Sequence, residues 1–201
     1  MKLAQIIDPL LELLKDSKAA EEALDAAPTQ FTKRAYIRSV FAYIEGSVWL
    51  FKQAATFADK NSKSPELSAG EHALLSDESY ELNGAGKAES RPKFLRLPDN
   101  LLFTIRVCNQ LFKSDIEVEK GSKEWQRFCT QQQVRNRITH PKSLLDYTVS
   151  DAEIEECKQM VGWYNTVSHK MAKSVARPPA APSPEVLAEA ALTPPTPPSA
   201  A

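Results

Sequence analysis

Between Arg135 and Lys142 the chain reads Arg-Asn-Arg-Ile-Thr-His-Pro-Lys, the one stretch of its 201 residues where several groups able to do chemistry stand together. Arg135 brings a permanently charged guanidinium, Asn136 an amide, and His140 an imidazole, the side chain that exchanges protons near neutral pH. Such a set suits cleavage of a phosphodiester. An imidazole can trade a proton with an attacking 2′-hydroxyl or with the leaving oxygen, while a guanidinium stabilises charge gathering on the phosphoryl group. Arg135, Asn136 and His140 are therefore the catalytic candidates, and the neighbouring cations Arg137 and Lys142 are candidates for holding substrate.

Other site chemistries find little support. The three histidines and three cysteines are dispersed, with no Cys-x-x-Cys pair and no His-Glu-x-x-His, so neither a metal nor a cofactor is expected. Asn83, Gly84, Ala85, Gly86 and Lys87 lack the preceding strand of a phosphate-binding loop and read as a turn. His72 and His169 fit surface or satisfied helix positions, and Trp49, Trp125 and Trp163 fit a core. Cys108, Cys129 and Cys157, odd in number and far apart, read as reduced core residues.

The elements that must position the motif are helical. After Pro28 the residues Ile37, Phe41, Ile44, Val48, Phe51 and Ala55 step by alternating fours and threes, a stripe along one side of a long helix. Leu101, Ile105, Cys108 and Phe112 repeat the rhythm from Asn100 to Lys113. A helix from Gly121 through Trp125 and Phe128 leads into the motif and must end near His140, because Pro141 disfavours the α conformation in the residue before it. Ser150 and Glu153 form a capping box ahead of a last helix carrying Ile154, Cys157, Val161, Tyr164, Met171 and Val175. Weaker helices are expected from Leu3 to Leu14, with an extension to Leu24 left open, and from Pro65 or Ser68 to Leu82, where Ser68 and Glu71 have capping-box spacing. Asn83 to Pro98 reads as a long loop, and strand signals are nearly absent. The fold class expected is all-α.

Composition bounds the rest. With 42% hydrophobic and 25% charged residues the chain is an ordinary globular one, with one helical domain over residues 1–176. Its net charge of −1 lacks the basic balance of a dedicated nucleic-acid binder, and no DNA is expected, but Lys and Arg outnumber Asp and Glu between Ala85 and Lys142. Asp8, Glu12, Lys15 and Asp16 break the apolar N-terminal run, so no signal peptide is expected, and no run is long enough for a membrane span; the expected location is cytoplasmic. Residues 177–201 hold eight of the fourteen prolines among Ala, Ser and Thr, which predicts a disordered tail. Pro194 and Pro197, or Pro195 and Pro198, have SH3-ligand spacing of a kind common in any proline-rich tail.

Arg135-Asn136 followed by three residues and His140 resembles the R-x4-6-H motif of HEPN proteins, which often carry a polar residue directly after the arginine. The resemblance covers the helical layout of residues 1–176 and the motif's place ahead of the last helix. It implies an up-and-down helical bundle that dimerises with two motifs facing one cleft, and a metal-independent endoribonuclease acting on RNA as a toxin or defence protein, with an antitoxin or other protein partner. A non-catalytic HEPN module that binds nucleotide or protein is the alternative. Some HEPN toxins carry a modifiable tyrosine two residues after the histidine, where this chain has Lys142. Around an unbroken helix, positions 135 and 140 lie about 140° apart. Cooperation between them then requires either a distortion before Pro141 or two subunits.

Overall fold

The computed structural model describes residues 4–62 and 66–176, residues 4–6 as backbone only. The proline-rich segment 177–201, expected to be disordered, lies outside the described residues. The described chain is mostly helical. It runs α1 (Ala4–Ala26), α2 (Gln30–Lys60), α3 (Ala69–Leu75), β1 (Glu78–Leu82), β2 (Ala88–Pro92), α4 (Leu97–Phe112), α5 (Lys123–Thr139), a 3₁₀ turn (Leu144–Tyr147) and α6 (Asp151–Ala176).

The long second helix is the centre of the bundle. Thr29 starts it by accepting the Thr32 N–H at 3.2 Å, while the Thr32 hydroxyl accepts the Thr29 N–H at 2.9 Å. The stripe from Ile37 to Ala55 is buried at every position, and an adjoining stripe of Tyr36, Val40, Tyr43, Ser47, Leu50 and Ala54 is buried as well. A helix covered on two adjoining faces belongs inside a bundle, and α2 packs against α1, α3, α4, α5 and α6. Truncating a fully buried side chain here, such as Phe41 or Phe51, costs about 3–5 kcal/mol. The buried phenol of Tyr164 on α6 is satisfied by the Ser47 hydroxyl, which also donates to the Ile44 carbonyl.

The expected helix from Ser68 to Leu82 is corrected. The capping box of Ser68 and Glu71 forms, but α3 stops at Leu75, where the Ser76 N–H folds back onto the carbonyls of His72 and Ala73. Asp77 then adopts a left-handed backbone (φ 54°) that breaks the helix, and its carboxylate accepts from the fully buried Lys52 ammonium of α2 at 2.5 Å. From Glu78 the chain is extended.

The expected long loop is corrected likewise: it holds the turn and second strand of a small two-stranded hairpin in an otherwise helical chain. Residues 83–87 form a tight turn in which the Asn83 carboxamide oxygen accepts the N–H groups of Ala85 and Lys87, and Gly86 takes the left-handed conformation (φ 71°). The turn closes an antiparallel hairpin with Tyr80 opposite Ser90. The chain reaches α4 through only Lys93 to Arg96, and Pro98 sits in the first turn of that helix, where its missing N–H costs nothing.

Among the tryptophans Trp125 is buried and packs with Phe128 and the half-buried Trp163, whereas Trp49 is corrected to a surface position, 53% exposed. Cys108 and Cys157 are buried, and burial pushes both thiols up to about 12; Cys129 is half-buried. His72 pairs with the buried carboxylate of Asp59 at 2.8 Å, and His169 is exposed. No helix among the described residues is long and apolar enough to cross a membrane.

Candidate functional site

The fifth helix carries the motif because its opposite face is anchored. Ser122 caps it by accepting the Trp125 N–H at 3.2 Å, and Trp125, Phe128, Gln131, Val134 and Ile138 are buried against the bundle. The helix stays regular through Thr139, and the His140 N–H donates to the Asn136 carbonyl at 2.9 Å to close it. His140 itself leaves the helical conformation (φ −125°, ψ 61°), so the departure from the helix falls on the residue directly before Pro141. Arg135 and His140 stand on different sides of the helix end, and no hydrogen bond joins them among the described residues.

The corner that presents the motif is strapped down by cations from other elements. Arg38 of α2 donates to the Ile138 carbonyl at 2.6 Å, placing positive charge where the last carbonyls of α5 concentrate negative potential. Arg137 donates to the Thr148 carbonyl at 2.9 Å and to Glu153 at 2.7 Å, the same glutamate that completes the capping box of α6. After Pro141 the Asp146 carboxylate accepts the N–H groups of Lys142 and Ser143, and these bonds, the one from Lys142 foremost, lower its pKa. Gln30 and Val149 exchange a pair of hydrogen bonds, and Arg34 donates to the Tyr147 carbonyl. His140 and Lys142 are exposed on this corner, and neither side chain makes an ion pair or hydrogen bond to a described residue.

Arg135 points the other way, into a polar cleft of about 280 Å³. Its guanidinium pairs with Glu45 of α2 at 2.6 Å and donates to the Asn136 side chain at 3.1 Å. The cleft is walled by Glu45, Leu95, Arg96, Leu97, Asn100, Gln132 and Arg135, drawn from α2, α4, α5 and the segment before α4. The Asn100 carboxamide oxygen is buried without a hydrogen-bond partner among the described residues, a costly state that a donor brought by a ligand would relieve.

Of the residues singled out from sequence, the structure sets Arg135 on the wall of the cleft with the exposed Asn136 hydrogen-bonded to it, places His140 and Lys142 on the exposed corner, and ties Arg137 into the scaffold. The partners missed are Glu45, Asn100, Gln132 and Arg96. An acid beside two apolar stripes was the available signal for Glu45, but nothing local pairs it with an arginine ninety residues later.

The basic excess of residues 85–142 does not become a broad basic face. Arg91, Arg96, Arg106, Lys113, Arg127, Arg135 and Arg137 each sit in an ion pair with an acid, several of them from distant elements. Among the described residues no group of three or more His, Cys, Asp or Glu side chains is placed to hold a metal ion. Searches against family models, curated proteins and solved structures found no match.

Proposed function

We propose that this chain is a HEPN-type, metal-independent endoribonuclease that works as a symmetric dimer with a toxin or defence role. The observation that carries the proposal is the disposition of the motif. Arg135 is held half-exposed by Glu45 and Asn136 on the wall of a polar cleft, while His140 stands bare on a corner braced by α2 and α6. A guanidinium so held can grip phosphoryl oxygens, and a free imidazole can move protons. The 2′-oxygen of RNA attacks phosphorus, the bond to the 5′-oxygen breaks, and the proton leaving the 2′-hydroxyl is balanced by one delivered to the leaving oxygen. The products are a 2′,3′-cyclic phosphate and a 5′-hydroxyl.

A second copy supplies what one chain separates. Leu144 and Leu145, 87% and 79% exposed, follow the motif directly, and Phe31, 72% exposed, lies at the start of α2 beside the strapped segment. Apolar groups so close to the motif fit a surface that a twofold partner covers, bringing the His140 of one copy toward the Arg135 of the other. The alternative, a non-catalytic HEPN module for nucleotide or protein, draws on the neutralisation of Arg135 by Glu45 and on the lack of a group orienting His140 among the described residues. Purified protein incubated with mixed RNA in excess chelator separates the two. Fragments ending in 2′,3′-cyclic phosphate are expected, and intact RNA would leave only the binding module.

A further inference from the structure

Lys93, Phe94, Leu95 and Arg96 join the hairpin to α4, and Phe94 is 85% exposed. A benzyl ring standing bare in water has no packing role in the folded chain. Directly before it in the chain, Lys93 is exposed and makes no ion pair among the described residues. Two residues after it, the Arg96 side chain pairs among the described residues only with Asp99, in a pair whose side chains are 85% and 52% exposed and which contributes little. Leu95 and Arg96 line the same cleft into which Arg135 opens. The backbone of the segment is anchored at both ends, by the Lys93 N–H donating to the Asp77 carbonyl at 2.6 Å and by the buried Leu97 at the start of α4.

We propose that Lys93 to Arg96 is a strip for single-stranded RNA, in which one base stacks on Phe94, Lys93 and Arg96 take the flanking phosphates, and the strand continues into the cleft toward Arg135. The proposal rests on the ribonuclease assignment above and narrows its substrate to unpaired RNA. A duplex keeps its base faces stacked inside and cannot offer one to the ring, whereas an unpaired base can, whatever its identity. An apolar protein partner is the rival occupant of an exposed phenylalanine. Lys93 directly before the ring in the chain and Arg96 two residues after it, in a segment whose Leu95 and Arg96 line a polar cleft, match a polyanion with flat bases better than an apolar surface.

The test is fluorescence anisotropy of the full chain with a labelled oligoribonucleotide of about eight nucleotides, made uncleavable by 2′-O-methyl groups, alongside its duplex. Phe94→Ala should weaken single-strand binding about 5- to 150-fold, with little effect on the duplex, and Phe94→Trp should restore it and report stacking by quenched indole fluorescence. Lys93→Ala should reduce the slope of log affinity against log salt by about 0.7, a change Phe94→Ala should not make. Unchanged binding by Phe94→Ala, an equal loss on the duplex, or no binding of either RNA by the wild type overturns the strip. Chelator-resistant cleavage by a wild type whose Phe94→Ala variant binds normally removes the strip alone. Binding that depends on Phe94 in a protein that cuts no RNA keeps the strip and removes the cleavage.

Discussion

At the scale of single residues, the three cations of the motif have parted company. Arg135 faces a cleft with its charge shared by Glu45, Arg137 spends two nitrogens on Thr148 and Glu153, and among the described residues Lys142 has only its backbone engaged. Different variants should therefore fail in different assays. His140→Ala should lose on the order of 10²-fold or more in cleavage rate, with an unchanged circular dichroism spectrum because the side chain is exposed and unpartnered. Arg135→Lys should also lose activity, since an ammonium keeps the charge but not the planar fork. A His140→Ala protein that folds normally and cuts at the wild-type rate would end the catalytic assignment. Arg137→Ala should instead act on the fold, costing about 1 kcal/mol and a few degrees of melting temperature, because it unties α5 from the start of α6. A loss of RNA affinity without a loss of stability in that variant would return Arg137 to the substrate.

At the scale of elements, legibility followed apolar periodicity. The stripe of α2, the rhythm of α4 and α6 and the stop before Pro141 were all readable because burial writes itself into spacing. The hairpin was not, since Glu78, Ser79, Tyr80, Glu81 and Leu82 bury nothing fully and show no clean alternation; the turn at Asn83-Gly84 was the surviving signal. Half of the cleft was invisible for another reason. Glu45, Asn100 and Arg135 meet only through tertiary packing, and no local pattern announces that. The short α3 shows how such an element is kept in place by charge. Its Glu71 accepts the Ser68 N–H and pairs with Arg106, and these bonds hold its carboxyl at about 2. A depressed folded-state value favours the carboxylate, so the stabilisation is full above the ordinary value of 4.5 and fades as pH falls toward 2. The gap in melting temperature between wild type and Glu71→Gln should accordingly narrow on acidification from neutral pH to about 2.5. A gap that stayed constant would show that Glu71 contributes nothing through its charge.

At the scale of the whole molecule, the question is what covers the motif's corner. Leu144 and Leu145 can both be replaced by glutamate without disturbing a core they do not enter. If they form the twofold contact, Leu144→Glu with Leu145→Glu should convert a dimer to a monomer by light scattering at micromolar concentration, keep the helical spectrum and abolish cleavage. A monomeric wild type that still cuts RNA would refute the dimer outright. Residues 177–201 carry almost no apolar periodicity, and their removal should leave the melting temperature within about 2 °C. The sharpest test mixes two dead chains. In a dimer whose sites each take Arg135 from one copy and His140 from the other, pairing an Arg135→Ala chain with a His140→Ala chain leaves one site with both groups intact and one with neither. Random re-pairing of equal amounts should then recover about a quarter of wild-type activity, although each variant alone is inactive. If both groups of a site belong to one chain, every site in the mixture lacks one of them and no activity returns. Recovery would therefore place the regular helix end of α5, which sets Arg135 and His140 on different sides, at the origin of the dimer's function.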